Sequence, residues 1–128
     1  DGEFVVCIDA GHGGSDTGCE SKDGTYEKDD DLKLATALRY KLETMGVTVI
    51  MTRTADVRIS LEERAYIANS SNADVFISIH RNAADVSSAQ HQVRNELSVH
   101  YVDMQIFNSA FLKAFQIILN LIQGCTHH

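Results

Sequence analysis

Three short apolar runs, separated by two segments with helical periodicity, constrain the fold of this 128-residue chain more than any other feature. The runs lie at 4–8, 47–51 and 75–79, and each is long enough for one strand. A continuous apolar run is typical of a strand that is covered on both faces, as in a parallel sheet. Strands that are joined through helices run parallel. The sequence therefore predicts an α/β fold of three αβα layers around a mainly parallel sheet.

The remaining periodicity completes this prediction. Apolar residues at helical spacing predict helices over 29–45 and 108–123, and the alternating segment 97–102 predicts a fourth strand. Acidic residues fill the first turn of the first helix, where the helix dipole favours them. Ser60 and Glu63 form an S-x-x-E capping box, which predicts the start of another helix. We expect a single domain with about four strands, since 128 residues are enough for one core and too few for two, and the 44% of apolar residues predict a packed globule.

Composition excludes several classes of function. The net charge is −7 and no polybasic run is present, so binding to nucleic acid or to anionic lipid is not expected. No run of about 18 apolar residues occurs, so no membrane span is predicted. No export signal is visible in the chain. The three cysteines are far apart and odd in number, so they indicate no disulfide framework.

Two histidines follow predicted strands and are expected at the same edge of the sheet. His12 lies in a glycine-rich loop after the first apolar run, and His80 comes directly after the third. Ligands of parallel sheets bind at the carboxyl ends of the strands. A catalytic zinc ion takes three protein ligands and leaves one position open, and Glu27, just before the first predicted helix, is well placed as the third. The residues alone leave this open, because a single histidine is more often a surface or hydrogen-bonded residue than a ligand.

The glycine-rich loop has other interpretations. A dinucleotide-binding G-x-G-x-x-G loop that starts at Gly11 requires glycine where Asp16 stands. An esterase oxyanion loop would be accompanied by a G-x-S-x-G elbow, which the sequence lacks. A tight turn without any ligand is the remaining alternative.

Four motifs, in order along the chain, carry a resemblance to a known family. They are I-D-A-G-H-G-G at 8–14 followed by Asp16 and Gly18, then E-K-D at 27–29 with Leu32 and Leu34, then Thr52, Arg53, Asp56, Leu61, Arg64, Ala68 and Asn69, and finally A-D-V-F-I-S-I-H at 73–80 with Asn82 and Ala83. Over residues 4–83, and more weakly to 124, the chain resembles the zinc-dependent N-acetylmuramoyl-L-alanine amidases of α/β type. The resemblance implies hydrolysis of the amide bond between the lactyl group of N-acetylmuramic acid and L-alanine in peptidoglycan, with one zinc ion per chain.

The resemblance also implies roles for individual residues. The zinc ligands of the family fall on His12, Glu27 and His80, and Asn82 is expected to contact the substrate. Asp9 is expected to orient one of the ligands. The implied location is extracellular, in the cell wall or the periplasm, as for an autolysin.

The two arginines of the third motif have two interpretations. Arg53 and Arg64 either contact carboxylates of the substrate or pair with local acids, and the second role is favoured. Asp30 stands where the family usually has an apolar residue, which predicts a less covered edge of the site. His91 and His100 are interpreted as residues that bind no metal.

The resemblance weakens after residue 83. The family continues to a sheet of six strands and a last helix, and one of the later strands carries a second glutamate, the general acid and base. This chain has no such segment, and Glu96 precedes the predicted fourth strand. We therefore expect a domain truncated at its C-terminus, whose open sheet edge favours self-association. A catalytically impaired zinc- or glycan-binding, regulatory module is the alternative to an active amidase.

Overall fold

The computed structural model describes residues 4–81 and 98–103, together with the isolated positions 116 and 120. Its elements are β1 (Val5–Ala10), α1 (Glu27–Glu43), β2 (Thr48–Met51), α2 (Leu61–Ser70), β3 (Val75–His80) and β4 (Ser98–Asp103). The four strands form one sheet in the order β2-β1-β3-β4, and every neighbouring pair is parallel. The predicted α/β fold with a mainly parallel sheet is confirmed.

The strand order reverses at β1, which opens a crevice between β1 and β3. From β1 the chain passes through α1 to β2 on one side, and it returns through α2 to β3 on the other. In open α/β sheets, ligands bind where the order reverses, at the carboxyl ends of the strands. Ala10 and Ile79 are partners in the register of β1 and β3. The residues that follow these two strands therefore lie side by side.

Each described helix covers one face of the sheet. Helix α1 contributes three leucines to an apolar cluster with the side chains on one face of β1 and β3. The intervening residues Cys7 and Phe76 lie on the opposite face, where they pack with two alanines of α2. Across residues 4–81, the sheet is thus the middle one of three layers, as predicted. Neither α1 nor α2 combines the length and the apolar character that a bilayer crossing demands.

Helix α1 begins two residues earlier than predicted, at Glu27 rather than Asp29. Tyr26 precedes it with an extended backbone and no capping hydrogen bond from its side chain. The acids of the first turn interact favourably with the helix dipole. The earlier start matters because Glu27 and Asp31 are then one turn apart on the same side of a helix, and both are buried.

Helix α2 begins where the capping box predicts. The Oγ atom of Ser60 accepts a hydrogen bond from the amide of Glu63 at 3.1 Å. The strands differ from their predicted bounds by one or two residues, and β1 and β3 both continue further toward their carboxyl ends. This continuation carries β3 through His80.

The predicted last helix and the predicted open sheet edge are only partly covered by the described residues. The predicted helix over 108–123 lies outside the described residues except at Gln116 and Asn120, which are helical and share a hydrogen bond of 2.9 Å. Within the described residues, β2 and β4 are the outer strands of the sheet. Self-association through an open edge stays a prediction.

Ser60→Ala is expected to lower the free energy of unfolding by about 1 kcal/mol, because the amide of Glu63 loses its capping oxygen. Urea unfolding followed by circular dichroism measures the difference. Ser70→Ala, at the other end of α2, is the control, since the Ser70 hydroxyl donates only a long hydrogen bond of 3.4 Å to the Ile67 carbonyl. Equal losses in the two variants would contradict the capping role of Ser60.

Candidate metal centre

The loop after β1 brings His12 next to His80 at the carboxyl edge of the sheet. The amide of Gly11 donates to the carbonyl of Ile79 at 3.0 Å, which extends the pairing of β1 with β3 into the loop. The two imidazole rings stand at 87° to each other with their centroids 5.1 Å apart. The two histidines therefore meet at one edge of the sheet, as their positions after the strands predict.

Glu27 lies between the two imidazoles. Its Oε2 atom is 3.1 Å from His12 Nε2 and 3.2 Å from His80 Nδ1. Zinc binds histidine nitrogen and carboxylate oxygen at about 2.0–2.2 Å, so two ligand atoms of a tetrahedral ion lie about 3.3 Å apart. The three predicted ligands are thus brought together at separations that suit a single ion.

Backbone amides hold the carboxylate of Glu27 in this position. The amide of Cys19 donates to Oε1 at 3.1 Å, and the amide of Arg81 donates to Oε2 at 3.0 Å. Burial alone would raise the pKa of Glu27, but hydrogen bonds from His12, His80 and the Cys19 amide outweigh it and hold the pKa well below its usual range. Glu27 is therefore an ionised carboxylate whose side chain is only 1% exposed.

Asp16 orients His12 from the other side of its ring. His12 Nδ1 lies 3.0 Å from both carboxylate oxygens of Asp16, so the ring directs Nε2 toward Glu27. The hydrogen bond to Glu27 raises the pKa of His12, and the one to Asp16 adds to this effect. Histidines that bind metals usually donate their second ring nitrogen to a carboxylate in this way. Asp16 belongs to the first sequence motif, and its spacing of four residues from His12 was the available signal for this role.

The backbone of His12 has an unusual conformation. Its φ angle is +63°, in the left-handed region that residues other than glycine rarely adopt. Such strain is typical of functional sites, where surrounding contacts hold the residue in place. One of these contacts is the guanidinium of Arg64, whose Nη2 donates to the His12 carbonyl at 2.8 Å.

Two glycines of the loop are required by the close approach of the site residues. A Cβ atom at Gly11 would clash with the imidazole of His80. A Cβ atom at Gly18 would lie 2.6 Å from Cδ2 of His12 and 2.8 Å from Cβ of Glu27. The glycines therefore leave space for imidazoles and a carboxylate, which accounts for them without a bound phosphate.

Arg53 and Arg64 hold the loop after β1 through hydrogen bonds, and both side chains are only 4% exposed. Arg53 donates hydrogen bonds to four backbone carbonyls, those of Ala10, Gly11, Lys28 and Ala55. Arg64 donates to the carboxylate of Asp9 and to three carbonyls, those of Ala10, His12 and Ile59. These contacts support the structural role that the sequence favours for both arginines, because they occupy the guanidinium groups within the protein.

Asp9 contacts residues other than the predicted ligands. Its buried carboxylate accepts hydrogen bonds from Thr52 at 2.8 Å, Arg64 at 2.7 Å and Ser78 at 2.6 Å. Burial alone would raise the pKa of Asp9, but the charge of Arg64 and these hydrogen bonds lower it below its usual value. Among the described contacts, Asp9 reaches His12 only through Arg64, which bonds both.

Asp31 is a member of the cluster that the sequence analysis did not identify. It lies one helical turn after Glu27 and is 0% exposed, and its carboxylate is within 4.8 Å of the other three ligand atoms. Within the described residues, neither oxygen has a hydrogen-bond partner. Burial raises the pKa of Asp31 to about 9, and the charge of Glu27 adds to this. The four-residue spacing from Glu27 was the signal, but the acid run 29–31 is explained equally well by the helix dipole.

Arg81 was also not identified from the sequence. Its guanidinium donates to the carboxylate of Asp30 at 2.8 Å, to the hydroxyl and carbonyl of Thr25, and to the carbonyl of Cys19. Asp30, which departs from the usual residue of the family, is thus neutralised by the residue that follows His80. This ion pair ties the start of α1 to the end of β3 beside the candidate site.

The other predicted residues lie elsewhere. Asn82, His91 and Glu96 are outside the described residues. His100 is the register partner of Ile77, three residues before the end of β3. In the part of the chain that the structure covers, the group that could hold a metal consists of His12, Glu27, Asp31 and His80.

A cavity of about 430 Å³ opens above the cluster. His12, Glu27 and His80 line it, together with Arg58 and Leu61 near the start of α2. Cavities of this size are typical of binding sites for small molecules. An ion held by the cluster would therefore be accessible to a ligand in the cavity.

A profile of the N-acetylmuramoyl-L-alanine amidase family matches residues 6–110. The N-acetylmuramoyl-L-alanine amidase CwlM of Bacillus licheniformis is 50% identical over 80 residues, which make up 61% of this chain and 31% of that protein. The crystal structure of the N-acetylmuramoyl-L-alanine amidase from Clostridium difficile 630 is similar with a TM-score of 0.63 and 48% identity, over 64% of this chain and 45% of that one. The structure of the catalytic domain of the amidase CwlV from Bacillus (Paenibacillus) polymyxa var. colistinus is similar with a TM-score of 0.60 and 28% identity. The match covers 77% of this chain and 69% of that one.

The chain spans less than a third of the length of the Bacillus licheniformis relative and less than half of the Clostridium difficile structure. The matching profile nevertheless covers well over half of this chain and includes the described sheet apart from Val5, the first residue of β1. Fold, cluster and similarity agree, and the chain belongs to the N-acetylmuramoyl-L-alanine amidase family.

Proposed function

We propose that this chain is the zinc-dependent catalytic part of a peptidoglycan amidase. The reaction is hydrolysis of the amide bond between the lactyl group of N-acetylmuramic acid and L-alanine. The observation that carries the proposal is the position of Glu27 Oε2, 3.1 Å and 3.2 Å from the two imidazole nitrogens below an open cavity. The bacterial cell wall or the periplasm is the corresponding location.

The donor set suits one zinc ion per chain. His12, Glu27 and His80 would hold it through two nitrogens and one oxygen, a combination that catalytic zinc sites use. The side chains of His12 and His80 are 25% and 13% exposed, so the cluster is open on its cavity side. When bound, zinc supplies the Lewis acidity that polarises the amide carbonyl and activates water.

The remaining residues of the site orient and cover this centre. Asp16 keeps Nε2 of His12 directed inward, and the amides of Cys19 and Arg81 keep Glu27 in place. Asp9 supports the loop through Arg64. Asn82, two residues after the end of β3, is proposed to contact the substrate beside the metal.

Zinc content tests the metal site directly. Elemental analysis of the purified chain is expected to give about one zinc per chain, and His80→Ala is expected to lose it because two of three ligands hold zinc poorly. His100→Ala is the control, since His100 lies on β4 and outside the cluster. If the wild type holds no zinc after reconstitution, the cluster is not a zinc site. The same follows if His80→Ala and His100→Ala lose zinc equally.

Asp16→Ala is expected to weaken zinc binding by about 10–100-fold, because His12 loses the carboxylate that orients its ring. Competition with a chromophoric chelator measures the affinity. Asp29→Ala removes the same charge from an exposed position on α1 and is expected to bind zinc like the wild type. An unchanged affinity in Asp16→Ala would mean that His12 is held well enough without Asp16.

The zinc-loaded chain is expected to release stem peptides from purified peptidoglycan slowly, with new amino groups on L-alanine. The second glutamate of the family has no counterpart in the 128 residues, and loss of general acid–base catalysis typically costs about 10²–10⁴-fold in rate. The comparison is with a full-length relative, and His80→Ala is the inactive control. Release of stem peptides at the rate of the relative would contradict the expectation that this chain lacks a general acid and base. Zinc and glycan binding without any release favours the alternative, a binding or regulatory module.

A further inference from the structure

We propose that Asp31 is a fourth protein ligand, so that this chain holds its cation through two histidines and two carboxylates. The inference rests on the proposed function only in requiring a metal ion between His12, Glu27 and His80. It does not depend on hydrolysis of peptidoglycan.

The first observation is the isolation of the Asp31 carboxylate. The residue is 0% exposed, and neither oxygen has a hydrogen-bond partner among the described residues. Polar groups in protein interiors are almost always hydrogen-bonded, and an unpaired buried charge is strongly unfavourable. The guanidinium of the nearby Arg53 donates its hydrogen bonds to backbone carbonyls instead. Asp31 therefore needs a partner that these protein atoms do not provide.

The second observation is the geometry of α1. Asp31 follows Glu27 by four residues, so both side chains extend from the same side of the helix toward the two histidines. The four ligand atoms lie within 4.8 Å of one another. At bond lengths of about 2.0–2.2 Å, the ligand atoms of a tetrahedral ion are about 3.3 Å apart. A movement of roughly 1.5 Å, which rotation of the Asp31 side chain can supply, thus brings its carboxylate into the coordination distance.

The third observation is the balance of charge. Glu27 and Asp31 are two buried carboxylates in one cluster, and they repel each other when both are ionised. A divalent cation between them neutralises both, so the loaded centre carries no net charge. Asp31 also approaches from the buried side of the cluster, since it does not contribute to the cavity wall. Its ligation would fill the buried side of the centre, so water or substrate from the cavity side would bind as a fifth ligand, a coordination number that catalytic zinc can adopt.

A fourth ligand changes the expected metal chemistry. Catalytic zinc sites combine three protein ligands with an open position, whereas closed sites use four. The second carboxylate adds an oxygen donor, and oxygen donors suit Mn²⁺ better than sulfur or nitrogen donors do. Asp31 is therefore expected to tighten zinc binding, to lower the Lewis acidity of the ion, and to admit Mn²⁺ as a competitor.

Asp31→Asn tests the inference, because it removes the charge with almost no change of shape. Zinc affinity is expected to fall about tenfold or more, as for other groups at metal centres. The metal-free variant is expected to melt at a higher temperature than the metal-free wild type, because the substitution removes the cost of burying an ionisable carboxyl group beside the charge of Glu27. If Asp31 had only a structural role, its substitution would leave the zinc affinity unchanged. A lower zinc affinity together with a higher melting temperature of the metal-free protein is therefore expected only of a ligand. Asp29→Asn, exposed on the same turn, is the control and is expected to retain the wild-type zinc affinity.

The visible absorption spectrum of the Co²⁺-loaded protein gives a second readout that is independent of activity. The spectrum depends on the number and kind of ligands, so Asp31→Asn is expected to change it and Asp29→Asn is not. Unchanged affinity and an unchanged spectrum in Asp31→Asn, with zinc lost in His80→Ala, would overturn the Asp31 inference alone. A wild type that binds no zinc would overturn the proposed function as well.

A crystal structure of the zinc-loaded wild type decides the question if Asp31→Asn does not fold. A distance of about 2.0–2.2 Å between zinc and an Asp31 oxygen supports the inference. A distance that leaves Asp31 outside the coordination sphere overturns it.

Discussion

The carboxylate of Glu27 links three separate parts of the chain at the carboxyl edge of the sheet. Its oxygens face His12 in the loop after β1 and His80 at the end of β3, and they accept hydrogen bonds from the amides of Cys19 and Arg81. Because Glu27 is the first residue of α1, the same contacts set where that helix meets the sheet. The candidate centre and the position of the first turn of α1 therefore depend on one buried charge.

The loop that carries His12 is held by interactions that contribute nothing to binding directly. Arg53 and Arg64 donate to the carbonyls of residues 10–12, and the carboxylate of Asp9 neutralises Arg64 at 2.7 Å. Hydrogen bonds to buried charged groups are stronger than neutral ones, so they can hold His12 in its left-handed conformation. The strain at His12 is a cost in stability that the surrounding contacts offset, as is common at functional sites.

The parts of the fold that were predictable share a local cause. Apolar runs, helical spacing and the capping box at Ser60 act over a few residues, and over residues 4–81 the elements that they predict were found close to their predicted bounds. The meeting of His12 with His80 was also predictable, because a parallel sheet brings the ends of its strands to one edge. The missed residues share a different cause. Asp16 and Asp31 lie four residues from His12 and Glu27, but such spacings between charged residues are also common on solvated surfaces. The partners of Arg81 are more than 50 residues away along the chain, so no local pattern reveals them.

The sequence by itself determined the order of strands and helices, the parallel sheet and the edge at which His12 and His80 lie, because these follow from apolar patterning and chain connectivity. The place of Glu27 beside them was implied only by the resemblance to the family. The tertiary structure alone decided which charges became buried partners. It paired Asp30 with Arg81, directed Asp16 to His12 rather than Asp9, and left Asp31 unpartnered inside the cluster. Whether a carboxylate is solvated, paired or left to a metal ion depends on the dielectric and the neighbours at its final position, and both are set only when the layers of the fold pack together.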